Sequence, residues 1–141
     1  VRTPKDPNWK VVRNYEEFVD LVSKTGLENI ETISLDHDLG PIAMSEYFNN
    51  VSPNYKLDYN NLIEEKTGYD CAKWLVDYYY EKYDKEVSRN EKRNSGILFP
   101  RIYTHSANPI GSANIMGYVN NFLMNEAQPQ DCVRVQIEHT V

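Results

Sequence analysis

The chain has 141 residues, with 15 Lys and Arg against 21 Asp and Glu, a formal charge of −6 and a pI near 5.0. That length fits one domain able to hold a core without disulfides, and the acidic balance argues against charge-driven binding to long nucleic acid, where phosphate neutralisation supplies most of the affinity. With 40% hydrophobic residues, a mean hydropathy of −0.66, no run near the ~20 apolar residues of a membrane span and no charged-then-apolar leader, the chain reads as a globular cytoplasmic protein.

Residues 10–13 (Lys-Val-Val-Arg) have the look of a short strand. Asn14 then opens an Asn-x-x-Glu capping box, with Glu17 placed to reach back to the Asn14 amide. Tyr15, Phe18, Val19 and Val22 recur at helical spacing until Gly26 stops the run. The β-rich stretch 30–35 leads directly into Asp36-His37-Asp38-Leu39-Gly40, which places an acidic cluster at the carboxyl end of a strand. Residues 41–66, rich in Asn, Tyr, Ser and Pro, carry no sustained period and predict a long inserted loop or lid, with at most a short helix around 42–48. Thr67-Gly68-Tyr69-Asp70 is a helix start, and Cys71, Ala72, Leu75, Val76, Tyr78 and Tyr79 form a broad apolar face running to about residue 85. A polar loop over 86–96 follows.

Residues 97–104 predict a strand that begins after Pro100. It delivers His105-Ser106-Ala107-Asn108 at its carboxyl end, and turn chemistry at Asn108-Pro109-Ile110-Gly111 introduces a helix beginning near Gly111. The buried face of that helix is Ile115, Met116, Val119, Phe122 and Leu123, and 133–137 read as a period-two strand. Strands alternating with helices predict a parallel sheet covered on both faces, with ligands bound outside the carboxyl ends of the strands. Both polar clusters fall at such ends.

Two carboxylates two residues apart, Asp36 and Asp38, are suited to a hard cation such as Mg²⁺ if the strand continues through them. An ordinary strand-to-loop turn uses the same residue types. His105 suits proton transfer at neutral pH. Ser106 and Asn108 are placed to donate to an anion, and the amides of the helix starting near Gly111 offer a seat for phosphate. Several features have plainer readings. Tyr78-Tyr79-Tyr80 reads as helix packing rather than a base-stacking platform, Glu64-Glu65-Lys66 and Glu91-Lys92-Arg93 as solvated charge, and His139 as surface. Cys71 and Cys132 form no metal-spaced pair and read as free thiols in a reducing cytosol. Walker-type, Gly-x-Ser-x-Gly and Cys-x-x-Cys patterns do not occur.

The ordered motifs Ile33-Ser34-Leu35-Asp36-His37-Asp38-Leu39-Gly40, Thr67-Gly68-Tyr69-Asp70 and His105-Ser106-Ala107-Asn108-Pro109 with Gly111, Asn114 and Met116 resemble the cyclic-phosphate processing receiver-like family. The opening Val1-Arg2-Thr3-Pro4 is similar to the tail of that family's first motif. The resemblance implies a receiver-like (flavodoxin-like) three-layer α/β sandwich in a single domain, with a mainly parallel sheet whose first strand is missing or truncated. It also implies a phosphoesterase-type activity on a cyclic phosphate, such as the 2′,3′-cyclic end of an RNA or a nucleotide. Carried onto this chain, Asp36, His37 and Asp38 form one wall of a pocket, and His105, Ser106 and Asn108 form the other. Arg2, Gly111 and Asn114 join the substrate side. His105 becomes the general acid or base, with His37 as its counterpart, and Asp36 and Asp38 position a Mg²⁺ or orient a histidine. The alternative is a degenerate receiver that binds a nucleotide or a protein without catalysis. A phosphorelay receiver, with Asp36 or Asp38 as acceptor and Ser106-Ala107 at the switch position, is disfavoured because Glu138-His139 stand where such domains carry Lys-Pro after the last strand.

Overall fold

The structure is a computed structural model that describes residues 8–84, 99–126 and 136. Helix α1 spans Tyr15–Thr25. The Asn14 side chain accepts from the Glu17 amide at 2.8 Å, as the capping motif requires, but the Glu17 carboxylate accepts from the Arg13 amide at 3.0 Å rather than from Asn14. Phe18 and Val22 are buried one turn apart. The helix ends at Gly26, whose φ of 85° an L side chain rarely adopts. Residues 10–13 are not a strand: no neighbouring strand pairs with them among the described residues, and an unpaired extended segment has no ladder to hold it.

Strand β1 (Thr32–Leu35) pairs in parallel with β2 (Arg101–Thr104), in the register Ile33 to Ile102 and Leu35 to Thr104. Strand β2 begins just after Pro100, which has no N–H to give to a ladder. Ile33, Leu35 and Ile102 face the core, whereas Arg101 and Tyr103 on the alternate face are exposed. Two helices complete the core, α4 (Gly68–Tyr79) and α5 (Pro109–Glu126). The first contributes Cys71, Ala72, Leu75, Val76 and Tyr79, and the second Ile115, Val119 and Phe122 at i, i+4, i+7. Tyr79 meets Phe122 edge-on at 5.3 Å and Tyr78 stacks on Trp74 at 4.8 Å, so these two members of the tyrosine run are packing residues. Helix α5 starts at Pro109, two residues before Gly111, because Asn108 rather than a later residue caps it. Burial pushes the Cys71 thiol up to about 12, which keeps it an unreactive core residue. Among the described residues the parallel sheet and its helices form the α/β arrangement expected of a receiver-like fold. No helix among the described residues is long and apolar enough to cross a membrane. The strand expected over 133–137, the loop over 86–96, Cys132 and His139 fall outside the described residues, Gln136 excepted.

The stretch 41–66 is largely helical rather than a loop. Helix α2 (Pro41–Glu46) runs into a π turn over Tyr47–Val51, a single helical turn α3 (Ser52–Asn54) and a 3-10 turn over Tyr59–Leu62. Polar bonds replace the missing apolar period. The buried Glu46 carboxylate accepts from Asn50 Nδ2 at 2.7 Å, from the Asp58 amide at 3.0 Å and from Asn61 Nδ2 at 3.0 Å. Glu65, expected as solvated charge, caps α2 instead, accepting from the Ile42 amide at 3.1 Å and the Ala43 amide at 2.7 Å. A carboxylate suits that end of a helix, where unpaired N–H groups leave partial positive charge.

Burial alone would raise the Glu46 carboxyl, but its bonds from Asp58, Asn50 and Asn61 outweigh that and hold it below the usual carboxylate range. A carboxyl lowered by folding stabilises the protein above its unfolded value of about 4.3, and that contribution is lost as pH falls through the lower folded value. Glu46→Gln is expected to cost about 1–3 kcal/mol at pH 7, since an NH₂ then faces an amide donor. Urea unfolding at neutral and acidic pH should show the gap between wild type and variant closing in acid. A gap that stays constant with pH would assign Glu46 no titrating role.

Candidate functional site

The turn 36–40 leaves β1 with His37 turned inward, 0% exposed. Its Nδ1 lies 2.7 Å from Asp38 Oδ1 and its Nε2 lies 3.0 Å from the Tyr59 hydroxyl. Asn114 Nδ2 donates to that same hydroxyl at 3.0 Å, and Asn108 Nδ2 donates to Asp38 Oδ1 at 3.2 Å. One proton assignment satisfies every pair: Asn114 donates to Tyr59, Tyr59 donates to His37 Nε2, and His37 donates from Nδ1 to the Asp38 carboxylate. Burial pushes the Tyr59 phenol up to about 12, which keeps the proton that this assignment gives it. Among the described residues every buried side-chain N and O has a partner, so this network is closed.

Two glycines let helices reach it. The Gly68 amide, at the start of α4, donates to the His37 carbonyl at 2.9 Å, and a Cβ on Gly68 would collide with the Asp36 carbonyl. A Cβ on Gly111 would run into the His37 ring. Beside Gly68, Thr67 and Asp70 cap α4 reciprocally, with Thr67 N to Asp70 Oδ2 at 2.8 Å and Tyr69 N to Thr67 Oγ1 at 3.2 Å.

The second cluster lies at the end of β2. His105 is exposed. Its amide extends the ladder by donating to the Leu35 carbonyl at 3.0 Å, and its Nδ1 lies 2.8 Å from Ser34 Oγ. Ser106 Oγ accepts from the Asn108 amide at 3.0 Å, which leaves its hydroxyl proton available to a ligand.

The structure thus brings His37, Asp38, Asn108, Gly111 and Asn114 together and places His105 with Ser34. His37, expected as the proton-transfer counterpart of His105, is buried with both ring nitrogens bonded. Asn108, expected to donate to an anion, is 0% exposed and gives its Nδ2 to Asp38, while its Oδ1 accepts from the Gly111 amide at 2.9 Å. The expected phosphate seat on α5 is reduced for the same reason: Pro109 has no N–H and the Gly111 amide is taken by the cap. Asp36 is half-buried, with Oδ1 3.4 Å from the Asp38 amide. Asp38 Oδ1 already takes two donors, and among the described residues no group of three His, Cys, Asp or Glu side chains is placed to hold a metal ion. These residues do not make up an Mg²⁺ shell by themselves. Arg2 lies outside the described residues.

Sequence reasoning missed Tyr59 and Ser34. Nothing in the aperiodic Asp58-Tyr59-Asn60-Asn61 marks a residue that joins His37 to Asn114. Strand alternation did carry a signal for Ser34, a small polar residue facing away from Ile33 and Leu35 next to the acidic cluster.

Gly111→Ala is expected to destabilise the protein by about 1–3 kcal/mol by overpacking against a buried ring. Tyr59→Phe should cost a similar amount by stripping a partner from His37 and Asn114. Thermal unfolding checks both, and wild-type midpoints would contradict this account of the network.

Comparison with protein-family models matches residues 1–121 to the one described as the cyclic-phosphate processing Receiver domain. The comparisons with curated proteins and with solved structures give no match.

Proposed function

Because the chain belongs to the cyclic-phosphate processing receiver domain family, we propose that it opens a cyclic phosphate by hydrolysis, with the 2′,3′-cyclic phosphate of a nucleotide or an RNA end as the substrate class. The observation that carries this reading is His105, an exposed imidazole at the carboxyl end of a parallel strand, with Nδ1 engaged by Ser34 and Nε2 left for an incoming molecule. In parallel α/β sheets that edge is where ligands bind.

Opening the ring requires a water oxygen to bond to phosphorus while one P–O bond to the ribose breaks. His105 Nε2 takes the proton of the attacking water. The departing ribose oxygen takes a proton from solvent, and the product is a phosphomonoester. The Ser106 hydroxyl donates to a non-bridging oxygen, and Arg2 is assigned to the same charge. Asp36 adds its carboxylate at the neighbouring strand end. The buried network behind it holds the turn in place and transfers no proton to substrate. No step is assigned to Mg²⁺.

A second reading, a receiver-type module that binds a nucleotide or a protein without turnover, has a specific observation in its favour. His37, Asp38 and Asn108 are committed to one another, so much of the motif-bearing cluster is closed to a ligand.

Mass-resolved product analysis separates the two. The chain is incubated with 2′,3′-cyclic AMP and with a short RNA ending in a cyclic phosphate, in Mg²⁺ or in EDTA. The expected result is the addition of one water, slowed about 10²–10⁴-fold in His105→Ala, the usual worth of a general base. The exposed His105 should be replaceable without loss of the circular-dichroism spectrum. Binding without product would establish the second reading, and the EDTA arm reports whether Asp36 and Asp38 serve a cation.

A further inference from the structure

Parallel pairing sets Ser34 opposite Tyr103, so Ser34, Tyr103 and the next alternate residue, His105, lie on one face of the sheet, with Ser34 and His105 as diagonal neighbours. The backbone of His105 is fixed by its amide bond to Leu35. Among the described residues its ring has one hydrogen-bond partner on this face, Ser34 Oγ at 2.8 Å from Nδ1. Two bonds from the same strand therefore determine where the imidazole stands and which nitrogen it presents.

We infer that Ser34 is a positioning residue for His105: its hydroxyl oxygen accepts the Nδ1 proton and so holds the ring in the tautomer whose Nε2 carries a lone pair toward the strand ends. A neutral hydroxyl in this role orients the ring without adding a second carboxylate to that of Asp36 beside the incoming phosphate. When Nε2 takes a proton the ring becomes a cation, and the Nδ1 bond to Ser34 is kept and strengthened. The same oxygen thus serves both protonation states. Truncating it frees the ring to rotate and to return to the Nε2–H tautomer that free histidine favours in water.

The turnover part of this inference rests on the hydrolase reading above, whereas the tautomer part does not. The experiment records long-range ¹H–¹⁵N imidazole correlations of the full chain at a pH about two units above the ordinary histidine value, with the His105 signals identified by their loss in His105→Ala. Wild type should show the Nδ1–H form. Ser34→Ala should shift His105 toward Nε2–H and lower kcat about 10- to 100-fold, the scale expected of a misplaced reacting group, with KM little changed. Ser34→Thr, which keeps a hydroxyl at a strand position, should restore both. A tautomer in Ser34→Ala identical to wild type overturns the inference whatever happens to turnover. A tautomer shift in a chain that hydrolyses nothing upholds the positioning role and removes the hydrolase reading.

Discussion

The buried imidazole of His37 is the point on which the rest of the structure converges. A ring with two polar nitrogens cannot be left dry without partners, because each unpaired group would cost about 1–3 kcal/mol. Asp38 supplies one partner from the next residue, and Tyr59 supplies the other from a distant helical turn. Gly111 and Gly68 then allow α5 and α4 to close on the same turn where any side chain would obstruct them. One strand end, two helices and the 41–66 stretch are therefore fastened to a single side chain, and Asn108 draws the start of α5 into the same bonds.

This arrangement divides the two histidines that the motifs place side by side in sequence logic. His37 belongs to the interior and holds the frame, while His105 stands at the surface on a strand that the frame keeps in register. An exposed imidazole held by Ser34 and backed by the His37 network suits the proton transfer proposed for it, since reacting groups must be held within a fraction of an ångström.

Much of the scaffold was legible from local chemistry. The caps at Asn14 and Thr67, the stop at Gly26, the strand start after Pro100 and the buried face of α5 all follow from residues within one turn of where they act. The resemblance stated from the motifs agrees with the family model matched over 1–121. The expectations that failed depended on partners far along the chain. Residues 10–13 have strand-forming side chains but no strand beside them among the described residues, and propensity alone builds no sheet. Glu65 reads as surface charge until α2, more than twenty residues earlier, is seen to start against it. The stretch 41–66 lacks an apolar period because Glu46, Asn50, Asp58 and Asn61 organise it through hydrogen bonds, which hydrophobic patterning does not register.

The cap that Glu65 gives to α2 also brings the two ends of that stretch together, with Gly40 lying directly against the Glu65 carboxylate. A segment whose ends already meet can lengthen or shorten at small entropic cost, because closure entropy grows only with the logarithm of loop length. The strand-and-helix frame is thus a chassis onto which such an excursion can be grafted, with Tyr59, bonded to His37 and Asn114 and stacked on Tyr69, as a fitting between them. A change in the length of the excursion therefore costs little so long as Glu65 still caps α2 and a polar group still meets the Nε2 of His37.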